Sequence, residues 1–330
     1  MVARAVIGEV VHWGLVPLWV FLGSLVSGLL MLLLLRGTLA SERLQRTNYR
    51  GVRLPTGAGV VFAPAFLLVW VPTVVIAWSG VDPIHGSSNS LISLSVGMDM
   101  MLVTVLGFCL LGLLDDVAGD SAAKGFKGHF SEALHGRFTT GLVKAFLGFV
   151  VALVALVYPV IHPGASHPAT AYGAWVLDAA LVALTANFFN LLDLRPGRAL
   201  KVFIPAFALC AGLTLGFWTA RGTPGADSAF IWVTPALVVL AVALVLFPGD
   251  LREKFMLGDA GSNVLGAVIG LGLVFGLPFW WRLGVLILML ILNILSEKYS
   301  FSRAIASNRA LNWIDSLGRK GQEAAGANNK

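Results

Sequence analysis

The sequence predicts an all-α, polytopic membrane protein with about nine or ten transmembrane helices, and three observations carry that expectation. Hydrophobic residues make up 57% of the chain and charged ones only 12%, with a mean hydropathy of +0.84. Apolar runs long enough to cross a bilayer recur along the whole length. Lys and Arg gather in alternate loops between those runs.

Taken in order, the runs lie near 13–35, 58–79, 97–114, 141–161, 172–192, 202–220, 230–248, 261–278 and 281–296, most within the roughly 17 to 25 residues a spanning helix needs. The first is preceded by acidic Glu9 rather than a basic flank and has no small-residue cleavage site, which predicts a retained helix rather than a signal peptide. Cys109 and Cys210 fall inside apolar runs and read as small hydrophobes, without a disulfide or a CxxC metal site. No repeat and no soluble domain interrupts the pattern. The expected organisation is one transmembrane domain over 1–296 and a tail over 297–330, amphipathic at first and ending in the polar, disordered-type GQEAAGANNK.

Alternation puts loops 36–57, 115–140, 193–201 and 249–260 and the tail on one side. Of the 23 Lys and Arg, only Arg4, Arg221 and Arg282 fall on the other, and Lys144 sits just inside the fourth run. Positive residues mark the inside, so the amino terminus is expected outside and the tail in the cytoplasm, in a plasma (inner) membrane. The net charge of +6 then reflects topology and anionic headgroups; the bilayer is the expected partner and nucleic acid is not.

The outer loops are rich in Gly, Ser and Pro and read as turns; the inner ones carry chemistry. Asp115 and Asp116 end the third run, Asn187, Asn190 and Asp193 end the fifth, and Asp250 and Asp259 flank the loop FPGDLREKFMLGDAGSN. Three helix ends therefore bring carboxylates and amides to one membrane face among Arg and Lys. Oxygen ligands of this type hold Mg²⁺ and leave positions for substrate phosphates, with Mn²⁺ as the alternative ion. Lys124, Arg195, Arg198 and Lys254 are candidates to neutralise phosphate charge, and Gly261 in GDAGSN allows an anion to approach backbone N–H groups at a helix start. Adjacent carboxylates repel, which suits one of them to act as a base. The plain alternative for the pair is a solvated helix stop.

The segments LLGLLDDVAGDSAAKG, NFFNLLDLRPG and KFMLGDAGSNVLG, in that order, resemble the polyprenyl-phosphate N-acetylhexosamine-1-phosphate transferases. RLPTGAG, with Ala58 for a glycine, resembles that family's Pro-x-x-Gly-Gly turn. The resemblance runs from about Arg50 to Gly266. It implies Mg²⁺-dependent transfer of a sugar-1-phosphate from a UDP-sugar to a polyprenyl (undecaprenyl) phosphate, releasing UMP, in cell-envelope glycan synthesis. Carried over residue by residue, Asp115 is the base, with Asp116 supporting it or approaching the metal. Asp259 and Asn190 are the metal ligands, with Asp259 counted also in the catalytic set. Asn187 and Asp193 line the pocket, and Lys124, Arg137 and Lys144 meet phosphates. Direct attack by the lipid phosphate and a covalent aspartyl intermediate are both compatible with it, as is a homodimer.

The chain departs from the family in the half that reads the donor. NLLDLRPGRALK has Leu194 for a glycine and Pro196 for a second aspartate; Met256 stands where an aromatic is usual; and the segment after Glu297 lacks the family's histidine cluster. His129 and His135 are the nearest histidines on that face. Lys298, Ser302, Arg303 and Asn308 are candidates to replace them, Arg303 foremost. The alternative functions are a scaffold or regulator that binds polyprenyl phosphate, and an ion-coupled transporter, whose carboxylates would lie nearer mid-bilayer.

Overall fold

The computed structural model describes residues 2–79, 88–118, 140–157, 168–220 and 229–319. The bundle comprises α1 (Val2–Leu39), α2 (Phe62–Trp78), α3 (Ser88–Ala118), α4 (Thr140–Ala155), α5 (Pro168–Leu192), α6 (Arg198–Thr219), α7 (Thr234–Leu251), α8 (Asp259–Gly276) and α9 (Phe279–Ser296). Two short helices follow, α10 (Phe301–Ser307) and α11 (Arg309–Ser316). Eight of these helices are long and apolar enough to cross a membrane, and α4 adds a shorter apolar stretch, Val143–Ala155. The chain is thus a multi-pass membrane protein. The helix of the fourth expected run ends at Ala155, and the last residues of that run, 158–161, lie outside the described residues.

The bundle is organised around α8, whose residues from Ala260 to Gly272 are all buried. It packs against α3, α5 and α6. Small residues make that burial feasible. Gly266 and Gly270 form a small-xxx-small face against α5, where a Cβ on Gly266 would stand 2.4 Å from the Thr185 carbonyl oxygen and one on Gly270 2.7 Å from Val182 Cα. Close backbone approach of this kind replaces the hydrophobic drive that lipid does not supply between helices.

By contrast, α9 buries only Asn293 and exposes Trp280, Trp281, Ile287 and Ile291. Two polar ties fasten it to α5. Arg282 pairs with Asp178, and Asn293 accepts from Asn187 Nδ2 at 2.6 Å while donating to the Leu184 carbonyl at 3.2 Å.

The loop expected over 36–57 contains an antiparallel pair, β1 (Gln45–Thr47) and β2 (Arg53–Pro55), in the register Gln45↔Pro55, Arg46↔Leu54 and Thr47↔Arg53. Asn48 closes its turn, its Oδ1 accepting from the N–H groups of Arg50 (2.9 Å) and Val52 (3.0 Å), and Gly51 takes a φ of +79°. The tail is two helices rather than one, because Asn308 leaves helical geometry and caps α11 through Oδ1 to Ala310 and Leu311 N–H, both 3.1 Å.

Candidate active site

The segments RLPTGAG and KFMLGDAG, 200 residues apart in the chain on the order of magnitude, lie side by side in the fold. Met256 N–H donates to the Pro55 carbonyl (2.7 Å), Ala58 N–H to Met256 (3.2 Å) and Gly59 N–H to Leu257 (2.9 Å). Gly258 then turns the chain into α8 with a φ of +73°, a conformation that glycine adopts without strain. The approach is so close that a Cβ on Gly59 would stand 2.1 Å from the Gly261 backbone, and one on Gly112 of α3 2.2 Å from the Asp259 carbonyl oxygen. Glycine at these places brings the end of α3 against the start of α8.

That crossing places the acidic residues. Asp116 Oδ1 accepts from Asp259 N–H at 3.1 Å and its Oδ2 from Ala260 N–H at 3.0 Å, so α3 supplies the anionic cap that α8 does not supply for itself. Asp115 turns the other way. Its Oδ2 lies 3.0 Å from Lys144 Nζ, and Lys144 also pairs with the Asp259 carboxylate. One ammonium from near the start of α4 thus bridges carboxylates from α3 and α8. The side chains of Asp115 and Asp259 keep 31% and 25% of their exposure, enough to meet a ligand. Asn190, near the end of α5, donates to Asn263 Oδ1 at 3.3 Å, which holds its amide beside the start of α8.

Beside this cluster lies a shallow, open cleft lined by residues that include Tyr49, Asp193, Arg195, Glu253, Phe255 and Met256. Burial, and then the carboxylates of Asp250, Asp259 and Asp116, push the Asp193 carboxyl well above the ordinary carboxylate value. Asp250 is buried and pins two loops together, accepting from Gly197 N–H (2.7 Å) and Leu257 N–H (3.0 Å). The Arg195 guanidinium stacks 4.1 Å above the Tyr49 ring at the cleft. Glu253 holds the hairpin from the far side, with Asn48 at 3.0 Å and Arg50 at 3.3 Å. The chain matches no protein-family model and no curated protein.

The structure therefore brings together Asp115, Asp116, Asp259, Asn190 and Lys144, with Asp193 close enough to feel two of the carboxylates. Asn187 points to α9 instead, through Asn293. Arg198 is buried and its guanidinium is taken up by Asp315 and Ser302. Lys254 and Arg303 are exposed; Gly261 serves close packing, a Cβ there falling 2.4 Å from Leu257. Lys124, Lys127, His129, His135 and Arg137 lie outside the described residues. Asn263 and Tyr49 join the site without having been expected there. Asn263 stood in the GDAGSN motif as a signal, whereas Tyr49 in the hairpin turn carried none.

The oxygen-bearing set Asp115, Asp259 and Asn190 fits Mg²⁺. Among the described residues no three His, Cys, Asp or Glu side chains form a metal-holding group; what Asp115, Asp259 and Asn190 have in common with a Mg²⁺ site is the oxygen type of their donors.

Proposed function

We propose that the chain is a Mg²⁺-dependent sugar-1-phosphate transferase acting between a UDP-sugar and a polyprenyl phosphate, with the motif end of the bundle in the cytoplasm of a plasma-membrane-embedded protein. The observation that carries this reading is the Asp115–Lys144–Asp259 bridge at the end of three helices. Asp115 and Asp259 share the Lys144 ammonium, with the carboxyls of Asp116 and Asp193 close to Asp259, an arrangement of oxygen donors that suits a divalent cation and phosphate better than a neutral substrate. The basic loops on the same end support the orientation.

In this reaction an oxygen of the lipid phosphate forms a new bond to the phosphorus that carries the sugar. The bridging P–O bond of the donor breaks, and UMP leaves with that oxygen. Bound Mg²⁺ supplies charge neutralisation to the phosphates. Asp259 and Asn190 would hold the ion. Asp115 accepts a proton from the lipid phosphate where it arrives protonated, Lys144 orients the Asp115 carboxylate, and Asp116 fixes Asp259 through the backbone. The cleft lined by Tyr49 and Phe255 offers aromatic surface for the nucleotide end of the donor.

The test is purified full-length protein with Mg²⁺, undecaprenyl phosphate and a panel of UDP-sugars. UMP release that is lost in Asp259→Asn and Asp115→Asn supports the transferase. Lipid binding with no UMP release from any donor would instead point to a scaffold that binds polyprenyl phosphate.

A further inference from the structure

Residues 297–319 make a set of contacts that the proposed chemistry does not use. Asp315 Oδ1 accepts from Arg198 Nε (2.8 Å) and Arg319 Nη2 (2.5 Å), and its Oδ2 accepts from Arg198 Nη2 (2.9 Å). Arg198 Nη1 donates to Ser302 Oγ at 2.9 Å, Lys201 Nζ to the Asp315 carbonyl at 2.7 Å, and Arg319 Nε to the Pro196 carbonyl at 3.1 Å. Phe301 meets Phe188 edge to face, 6.0 Å between ring centres. The two short helices therefore rest on the ends of α5 and α6, at the level where the chain leaves the apolar spans, and they grip the turn between those helices.

The rest of α11 is left uncovered. At 100° per residue, Leu311 and Ile314 fall on one side with Trp313 at its edge, while Asp315 turns toward Arg198. Leu311 is 48% exposed, Trp313 64%, Ile314 48% and Leu317 45%. Exposed Lys298, Arg303 and Arg309 stand on the same segment. An aromatic and aliphatic face bordered by cations, at the height of the span ends, has the chemistry of a helix seated in an anionic lipid surface.

We propose that α10 and α11 form a lipid-coupled latch: Leu311, Trp313, Ile314 and Leu317 enter the headgroup–acyl boundary of an anionic leaflet, while Asp315 fastens the same helix to Arg198 and so orders the 193–198 turn. That turn carries Asp193 and Arg195 into the cleft, so lipid contact at one end of the latch sets the order of the cleft at the other. The inference stands on this geometry alone and holds whether or not the protein is a transferase.

The test uses the full chain in nanodiscs of phosphatidylcholine with or without phosphatidylglycerol, carrying bromine high on the acyl chains. The wild type is expected to lose more tryptophan emission to bromine than Trp313→Phe does, and the difference should be about twofold larger with phosphatidylglycerol. Equal quenching of the two proteins, or a difference indifferent to lipid charge, overturns the proposal and points to a protein partner or a neutral surface. In the same nanodiscs, backbone amides of 193–201 should exchange about tenfold faster in Asp315→Asn and in Leu311→Ser/Ile314→Ser than in the wild type. The second variant leaves the ion pair intact, so unchanged protection in it breaks the coupling between lipid and turn.

Discussion

The Asp116 carboxylate accepts hydrogen bonds from the backbone N–H groups of Asp259 and Ala260, at 3.1 and 3.0 Å, across 143 and 144 residues of sequence. A helix start leaves its first N–H groups without partners, and an anion there is favoured by both hydrogen bonding and the helix dipole. Two adjacent aspartates consequently have separate tasks. Asp116 fixes where α8 begins and hence where the Asp259 side chain emerges; Asp115 meets Lys144 in the open part of the cluster.

This division predicts opposite mutant profiles. Asp116→Ala removes a charged cap and should cost about 1–3 kcal/mol of stability, read as a lower Tm in detergent, with UMP release reduced because Asp259 loses its anchor. Asp115→Asn should abolish UMP release with little change in Tm, since Lys144 keeps its pairing with Asp259. Equal loss of Tm in the two variants would contradict separate tasks.

Gly112→Ala tests the close approach of α3 to α8. Its new Cβ would lie 2.2 Å from the Asp259 carbonyl oxygen, and backbone rather than a flexible side chain stands in the way. Overpacking of this kind costs about 1–3 kcal/mol or more, and here it pushes apart the two elements that carry the aspartates. The expected result is a protein with a lower Tm and little UMP release. Gly173→Ala, in α5 with open space at the Cβ, is the control and should leave both close to wild type.

The helical bundle was legible because lipid leaves few solutions: a run of apolar residues of sufficient length must pair its backbone internally, and only helix does that within one segment. The convergence of Asp115, Asn190 and Asp259 was legible for a related reason, since each sits at a helix end on the same side of the alternation. What one sequence does not encode locally is partner choice. Arg195 and Arg198 look equivalent beside Asp193, yet one stacks on Tyr49 and the other is buried under Asp315, a residue 117 positions away. Asp115 and Asp116 are likewise indistinguishable in the chain, and only the register of α3 against α8 separates the partner of Lys144 from the cap of α8. The β1–β2 hairpin escaped notice because its strands are three residues each, too short for alternation to register.

Asp193 predicts an unusual pH dependence. Burial and neighbouring Asp250, Asp259 and Asp116 raise its carboxyl well above the ordinary carboxylate value of about 3.9. A carboxyl whose pKa is raised on folding holds its proton more tightly in the native state, so its contribution weakens stability as pH climbs from the unfolded value through the folded one. Asp193→Asn should therefore raise Tm at neutral pH, and the advantage over wild type should vanish below about pH 4. An advantage that persists unchanged to pH 3, followed by thermal unfolding across buffers, would mean that the carboxyl is not the source.

Asp315 carries the opposite sign. Its partial burial works to raise the carboxyl, and hydrogen bonds from Arg198 and Arg319 overcome this and hold it below the ordinary value. Stability from this group is complete above the unfolded pKa and is lost as pH falls through the folded one. Tm of the wild type should fall relative to Asp315→Asn only below about pH 4, with the wild type the more stable above it.

The tie between α5 and α9 supplies a test by paired substitution. Asp178 and Arg282 pair where the surroundings are otherwise apolar, and removing one partner leaves the other charge without compensation. Arg282→Leu should therefore cost about 3–5 kcal/mol, whereas Asp178→Leu/Arg282→Leu should recover most of that loss, because a well-packed apolar pair needs no desolvation of charge. Thermal unfolding of the four proteins of the cycle in one detergent gives the coupling directly. If the double variant is as unstable as Arg282→Leu, the ion pair itself holds α9 in place. In that case the remaining tie, Asn187 to Asn293 at 2.6 Å, is insufficient to keep α9 on α5, and UMP release should decline with Tm because Asn187 lies one helical turn from Asn190.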